Sequence, residues 1–114
     1  MSPGIRNTPA RQRAQAPVFA ALGDETRLSL IAKLSGAEPC SIAQLTDGTD
    51  LTRQAVTKHL RVLEDAGVVR SVRSGRENLF ALDGKPLGEA KDYLDTITQQ
   101  WAGALSRLKE FVER

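Results

Sequence analysis

Between Leu51 and Gly67 the apolar residues Val56, Leu60 and Leu63 fall at i, i+4 and i+7, the spacing that puts side chains on one face of a helix. Thr52 stands where a hydroxyl would cap that helix, and Gly67 where it would end. Just upstream, Ser41-x-x-Gln44 has the form of a capping box opening a shorter helix with Ile42 and Leu45 on its inner face, and Asp47-Gly48-Thr49-Asp50 breaks it. Two short helices across a tight turn outline a helix-turn-helix. Directly afterwards, Val68-Val69-Arg70-Ser71-Val72-Arg73 and Asn78-Leu79-Phe80-Ala81-Leu82 are β-prone runs on either side of Ser74-Gly75-Arg76-Glu77, which predicts a hairpin.

Upstream of the motif, Leu28, Ile31 and Leu34 recur at helical spacing, with Asp24 placed to cap and Gly36 placed to end the helix in a left-handed conformation. Phe19, Ala20 and Leu22 suggest a short helix before it. Residues 1 to 16, rich in Pro, Gln, Arg and Ala without periodicity, read as a disordered basic arm. Downstream, Leu87, Ala90, Leu94, Ile97, Trp101, Ala104, Leu108 and Phe111 alternate spacings of three and four without a miss, a heptad-like seam. A helix of about 25 residues would run roughly 38 Å, longer than one face of so small a body, so part of the seam is expected to meet another chain. An amphipathic helix folded back on its own domain is the plainer alternative, and Tyr93, Leu105 and Val112 make the stripe wide enough for both.

The expected fold is mainly α with a small β-hairpin (α+β), a winged helix-turn-helix with a long C-terminal dimerisation helix. A chain of 114 residues supports one core. Its parts are an arm at 1–16, a DNA-binding domain at 17–83 and a C-terminal helix at 84–114. Apolar residues are 40% of the chain but aromatics only 4%, so the core must be built from Leu, Val, Ile and Ala. No apolar run approaches the roughly 20 residues of a membrane span, and none follows Arg6, Arg11 and Arg13 as a secretory signal requires. A cytoplasmic protein with no membrane partner is expected. One cysteine allows no internal disulfide, which fits a reducing compartment.

A net charge of +2 says little about nucleic acid until its distribution is seen. Residues 53–76 hold Arg53, Lys58, Arg61, Arg70, Arg73 and Arg76 against only Glu64 and Asp65. With Val56, Leu60 and Leu63 inward, Arg53, Gln54, Thr57, Lys58 and Arg61 face outward, a polar and basic surface of the width a major groove accepts. The helix start at Thr52 can favour a phosphate, and Arg73 and Arg76 at the hairpin tip are expected on the flanking backbone or minor groove. His59, the lone imidazole, is read as a phosphate contact or a buried hydrogen bond within the motif. A merely solvated face, or a winged-helix module docking on another protein, are the competing readings. Clustered Arg and Lys favour DNA over a protein partner, because Lys is depleted at protein interfaces. No nucleophile with its base, paired carboxylates or phosphate-cradling glycine loop is assembled. No enzyme and no cofactor are expected.

These residues resemble the ArsR/SmtB family of bacterial repressors, from about Phe19 to Leu82. The resemblance is carried by Phe19-Ala-Ala-Leu-Gly-Asp-Glu-Thr-Arg-Leu and, more specifically, by Leu51-Thr-Arg-Gln-Ala-Val-Thr-Lys-His-Leu-Arg-Val-Leu-Glu-Asp-Ala-Gly-Val-Val. It implies a homodimer paired by its first and last helices, through Phe19 and Leu22 and through Leu87, Leu94, Ile97, Trp101, Leu108 and Phe111, with two reading heads on a palindromic operator. It also implies a repressor. Metal-sensing members carry Cys-x-Cys where Ser41 and Ala43 stand here, Cys40 falls one residue early, and residues 86–114 contain no His. No metal response is therefore expected. Cys40 reads as a small apolar filler, with a redox switch as the alternative, and the effector stays unidentified.

Overall fold

The apolar stripe of the second motif helix forms the centre of the molecule. In the computed structural model, which describes residues 7–36 and 38–113, Val56, Leu60 and Leu63 are 0 to 1% exposed. They belong to helix α4 (Arg53–Asp65), whose inner face meets Leu30 and Leu34 of α2 (Glu25–Leu34), Leu45 of α3 (Ile42–Thr46), and Val18 and Ala21 of α1 (Pro9–Leu22). Val68, Val69 and Phe80 close the cluster from the sheet side, and Ala90 from α5 (Gly84–Glu113). Burying each Leu or Val contributes about 1.5–3 kcal/mol, so a core this small depends on every one of them.

Local chemistry sets where the elements begin and end. The Thr52 hydroxyl accepts the amide of Ala55 at 3.0 Å, starting α4. The Ser41 hydroxyl accepts the Gln44 amide at 3.1 Å while the Gln44 side chain accepts the Ser41 amide at 2.8 Å, completing the capping box of α3. At the end of α4 the amide of Gly67 donates to the Glu64 carbonyl and that of Val68 to the Leu63 carbonyl, a paired closure that needs a left-handed residue between them. Gly67 supplies it with φ +80°. Gly67→Ala is accordingly expected to cost about 1–2 kcal/mol, read as a lower urea midpoint, because a Cβ disfavours that conformation; an unchanged midpoint would count against this account.

The hairpin consists of β2 (Val69–Ser74) and β3 (Glu77–Leu82), paired antiparallel with Ser74 opposite Glu77, so the turn is Gly75-Arg76, with Gly75 at φ +61°. The sheet has a third strand that sequence reasoning did not anticipate. β1 (Cys40–Ser41) pairs with the far side of β3, Cys40 opposite Phe80 and Ser41 opposite Leu79, giving the order β1-β3-β2.

Two expectations are corrected. The basic arm is not structureless from residue 9 onward: Thr8 caps α1 at the amide of Arg11, Pro9 opens it, and the Arg11 guanidinium donates to Thr96 on α5 at 2.9 Å while lying 5.2 Å from the Tyr93 ring centre. Residues 1–6 of the expected arm lie outside the described residues. Gly36 does not end α2 in a left-handed conformation either; the helix closes on Ser35 in the right-handed region, whose amide bonds to the Ile31 carbonyl.

The last helix starts at Gly84 and spans 30 residues. α1 covers its first half, where Phe19 packs against Tyr93 with ring centres 6.1 Å apart and Thr96 is buried. Beyond Thr96 the helix leaves the body, and the molecule reaches 67 Å along its long axis but only 30 and 23 Å across. Among the described residues no helix is long and apolar enough to cross a membrane.

Candidate nucleic-acid interface

With one face of α4 sunk in the core, its opposite face is left to solvent. Arg53, Gln54, Lys58 and Arg61 are exposed there, and Thr52 is exposed at the start of the helix. Thr57 is half-buried beside them, its hydroxyl donating to the Arg53 carbonyl at 2.7 Å; its methyl and its oxygen lone pairs are what remain for an outside partner. An open cleft runs between α3 and α4, walled by Ile42 and Ala43 on one side and by Thr52, Gln54, Thr57 and Lys58 on the other. No acidic residue occupies the first turn of α4, so none within the helix offsets the positive end of its dipole.

The hairpin stands beside this face as a wing, and a hydrogen bond fixes its angle. Ser71 on β2 donates to Glu64 on α4 at 2.8 Å, tying the wing to the helix. At the tip Arg73 and Arg76 are exposed, with Arg73 Nε donating to the Gly75 carbonyl at 3.3 Å. Arg70 lies 3.9 Å from Asp83, an exposed pair that contributes little to stability. Eight of the nine residues expected at DNA are at least partly exposed on α4, at its cap or on the hairpin tip.

His59 is the ninth. Its ring is turned to the flank of α4 that packs on the α1–α2 junction, where Nδ1 lies 3.3 Å from Arg27 Nη1 and 3.8 Å from Asp24 Oδ2. Its spacing from Val56 and Leu63 places it beside the buried stripe but does not say which element covers that flank. Of its two expected roles, the hydrogen bond at the motif is the one that the geometry shows. Arg27 can only donate, so in its hydrogen bond with His59 the Nδ1 atom is the acceptor, and the 3.8 Å separation from Asp24 is too long for a hydrogen bond. The shorter Arg27 contact is the bond. Asp24 caps α2 instead, accepting the Arg27 amide at 3.0 Å, and that bond, followed by the guanidinium charge, holds its carboxyl below the ordinary carboxylate value against the opposing effect of burial.

Arg27 was not singled out from the sequence, although one signal was available. It sits in the first turn of α2, where the helix dipole disfavours a cation, so a long-range partner was to be expected. Its Nε donates to the Ala21 carbonyl at 2.7 Å, at the end of α1.

Cys40 is half-buried against the core with its thiol donating to the Glu38 carbonyl at 3.5 Å. Among the described residues no three His, Cys, Asp or Glu side chains converge as a metal site would require.

The chain matches the Helix-turn-helix domain family over residues 22–72. It is 40% identical over 76 residues to YuzN of Bacillus subtilis, an uncharacterised HTH-type transcriptional regulator, covering 61% of this chain and 83% of that one. It is 33% identical over 69 residues to the HTH-type transcriptional repressor SmtB of Mycobacterium tuberculosis, covering 60% of this chain and half of that protein. Among solved structures, an ArsR-like transcriptional regulator from Rhodococcus sp. RHA1 superposes with a TM-score of 0.85 at 35% identity, over 93% of this chain and 96% of the other. The exposed basic helix, the wing beside it and these relatives agree, and the chain belongs to the ArsR-like family of winged helix-turn-helix transcriptional regulators.

Proposed function

We propose that this regulator is a repressor that binds a palindromic operator as a homodimer, acting by occupancy and not by catalysis. The observation that carries the reading is the exposed row of Gln54, Lys58 and Arg61 on α4, back to back with Val56, Leu60 and Leu63 and flanked by a basic wing tip. A helix so presented fits the major groove, where Gln pairs with adenine and Arg with guanine. Arg73 and Arg76 take the neighbouring phosphates. The second reading head comes from a partner chain paired through α5 and α1, with Leu94, Ile97, Trp101, Leu108 and Phe111 at the contact; all five are exposed in the single chain. Phe19, Leu22 and Leu87 support the same surface from beneath, packed at the margin of the core.

Selection from random-sequence duplexes, followed by gel shift, tests the proposal. The expected winner is an inverted repeat that shifts with two protomers per duplex. Selection of a single half-site by one protomer would contradict the palindromic dimer, and failure to select any sequence would favour a protein-docking winged helix.

Metal ions are not the signal in this reading. Ser41 and Ala43 offer hydroxyl and methyl groups where a thiolate pair would be needed, and the Cys40 thiol has no soft partner to complete a tetrahedral site. Zinc, cadmium or arsenite at stoichiometric excess should leave the gel-shifted complex intact. Release by one equivalent of any of them would reveal a site that these residues do not suggest.

A further inference from the structure

We propose that Arg27 is a positioning residue for operator recognition: through His59 it locks the reading helix α4 to the end of α1. The inference rests on the DNA-binding reading above and assigns work to a residue outside the reading face. Three elements meet at one guanidinium. Nε donates to the Ala21 carbonyl at 2.7 Å and Nη2 to the Ala20 carbonyl at 3.4 Å, both in the last turn of α1, where the dipole favours a cation. Nη1 donates to His59 Nδ1 on α4 at 3.3 Å. The amide of the same residue is held by Asp24 at 3.0 Å, which fixes the start of α2 beneath it.

This arrangement adds a directional contact to a non-directional one. Val56, Leu60 and Leu63 hold α4 in the core by apolar burial, which carries no directional preference of its own. His59 is a directional contact on its flank and opposes rotation of the helix about its axis. Rotation would carry Gln54 and Lys58 sideways across the base edges, where bidentate pairing tolerates little displacement, while contacts to phosphate tolerate far more. Loss of the lock should therefore reduce sequence discrimination before it reduces DNA affinity as such. A residue that only supported the fold would weaken both together.

The test compares R27Q, H59L, H59N and the double variant R27Q/H59L on the duplex selected by the wild-type protein and on a scrambled duplex of equal length. R27Q and H59L should each bind the selected duplex about ten-fold more weakly, as expected for removal of a charge-assisted hydrogen bond, with scrambled binding held within about two-fold. The double variant should be no weaker than either single one, because both remove the same bond. H59N, which offers an amide oxygen where Nδ1 stood, should recover most of what H59L loses. Wild-type affinity in R27Q or H59L, equal losses on both duplexes, or losses that multiply would each overturn the proposal. Should R27Q fail to fold, the His59 variants carry the comparison from the other side of the bond. The lone imidazole gives an independent readout: its 15N shifts near neutral pH should show Nδ1 unprotonated and Nε2 carrying the hydrogen, and a proton on Nδ1 would overturn the proposal without any variant. If the wild-type protein selects no duplex, the DNA reading itself fails, which is distinct from selection followed by unaffected variants.

Discussion

Replacing Trp101 and Leu108 together by glutamate is expected to turn a dimer into a monomer while leaving each protomer folded. The two side chains are 63% and 57% exposed in the single chain and touch none of its buried core, so the change removes little that the protomer's own packing uses. They sit in a stripe with Leu94, Ile97, Leu105, Phe111 and Val112, all exposed, on a helix that has left its own body. A contiguous apolar face of that length is rare on a monomer and marks an interaction surface. The alternation of three and four from Leu87 to Phe111 is the pattern by which helices pack knobs into holes against a partner. Aromatic and large aliphatic side chains at the centre of such interfaces are each worth roughly 2–4 kcal/mol, so losing two and placing carboxylates in the seam should raise the dimer dissociation constant by a factor of roughly a thousand or more. Sedimentation equilibrium at micromolar concentration is the check. The wild-type protein should sediment at twice the monomer mass and the variant at the monomer mass; a variant that stayed dimeric would remove α5 beyond Thr96 from the interface.

The elements that the sequence made legible are those whose signals are local. The Val56, Leu60 and Leu63 stripe, the Thr52 cap and the Ser41–Gln44 box lie within a few residues of the structure they specify, and each stands where the pattern put it. The missed elements depend on partners far along the chain. β1 is two residues long and is a strand only because Phe80 and Leu79 lie opposite it. The helical start of α1 is anchored by Arg11 on Thr96, 85 positions away, and no periodicity within residues 9–16 announces it. The partner that His59 meets on its flank of α4 is Arg27, 32 positions upstream. The exposed polar face of α4 was readable for the converse reason: what its residues do alone is stay out of the core, and a buried stripe predicts its own opposite face.

The second large effect separates readout from positioning within the interface. Gln54 and Thr57 lie about one turn apart on α4, where they would meet base edges, while Arg73 and Arg76 stand on the wing tip, where they would meet phosphate. Removing Gln54 or Thr57 is expected to cost about 1–3 kcal/mol on the preferred operator and little on random duplex, since pairing with a base edge carries sequence information. Thr57 should fall at the lower end, because its hydroxyl hydrogen is already committed to the Arg53 carbonyl. Arg73→Ala or Arg76→Ala should weaken both duplexes alike and reduce the salt dependence by about one unit of slope for each phosphate that is no longer neutralised.

Titration of Gln54→Ala and of the double variant Arg73→Ala/Arg76→Ala against operator and scrambled duplex at several salt concentrations tests the central claim most directly. Recognition by the exposed face of α4 predicts that the first variant loses affinity for the operator alone, with an unchanged salt slope, and that the second loses affinity for both duplexes with a shallower slope. Binding of both variants to both duplexes as tightly as the wild-type protein would contradict the claim that this face reads DNA.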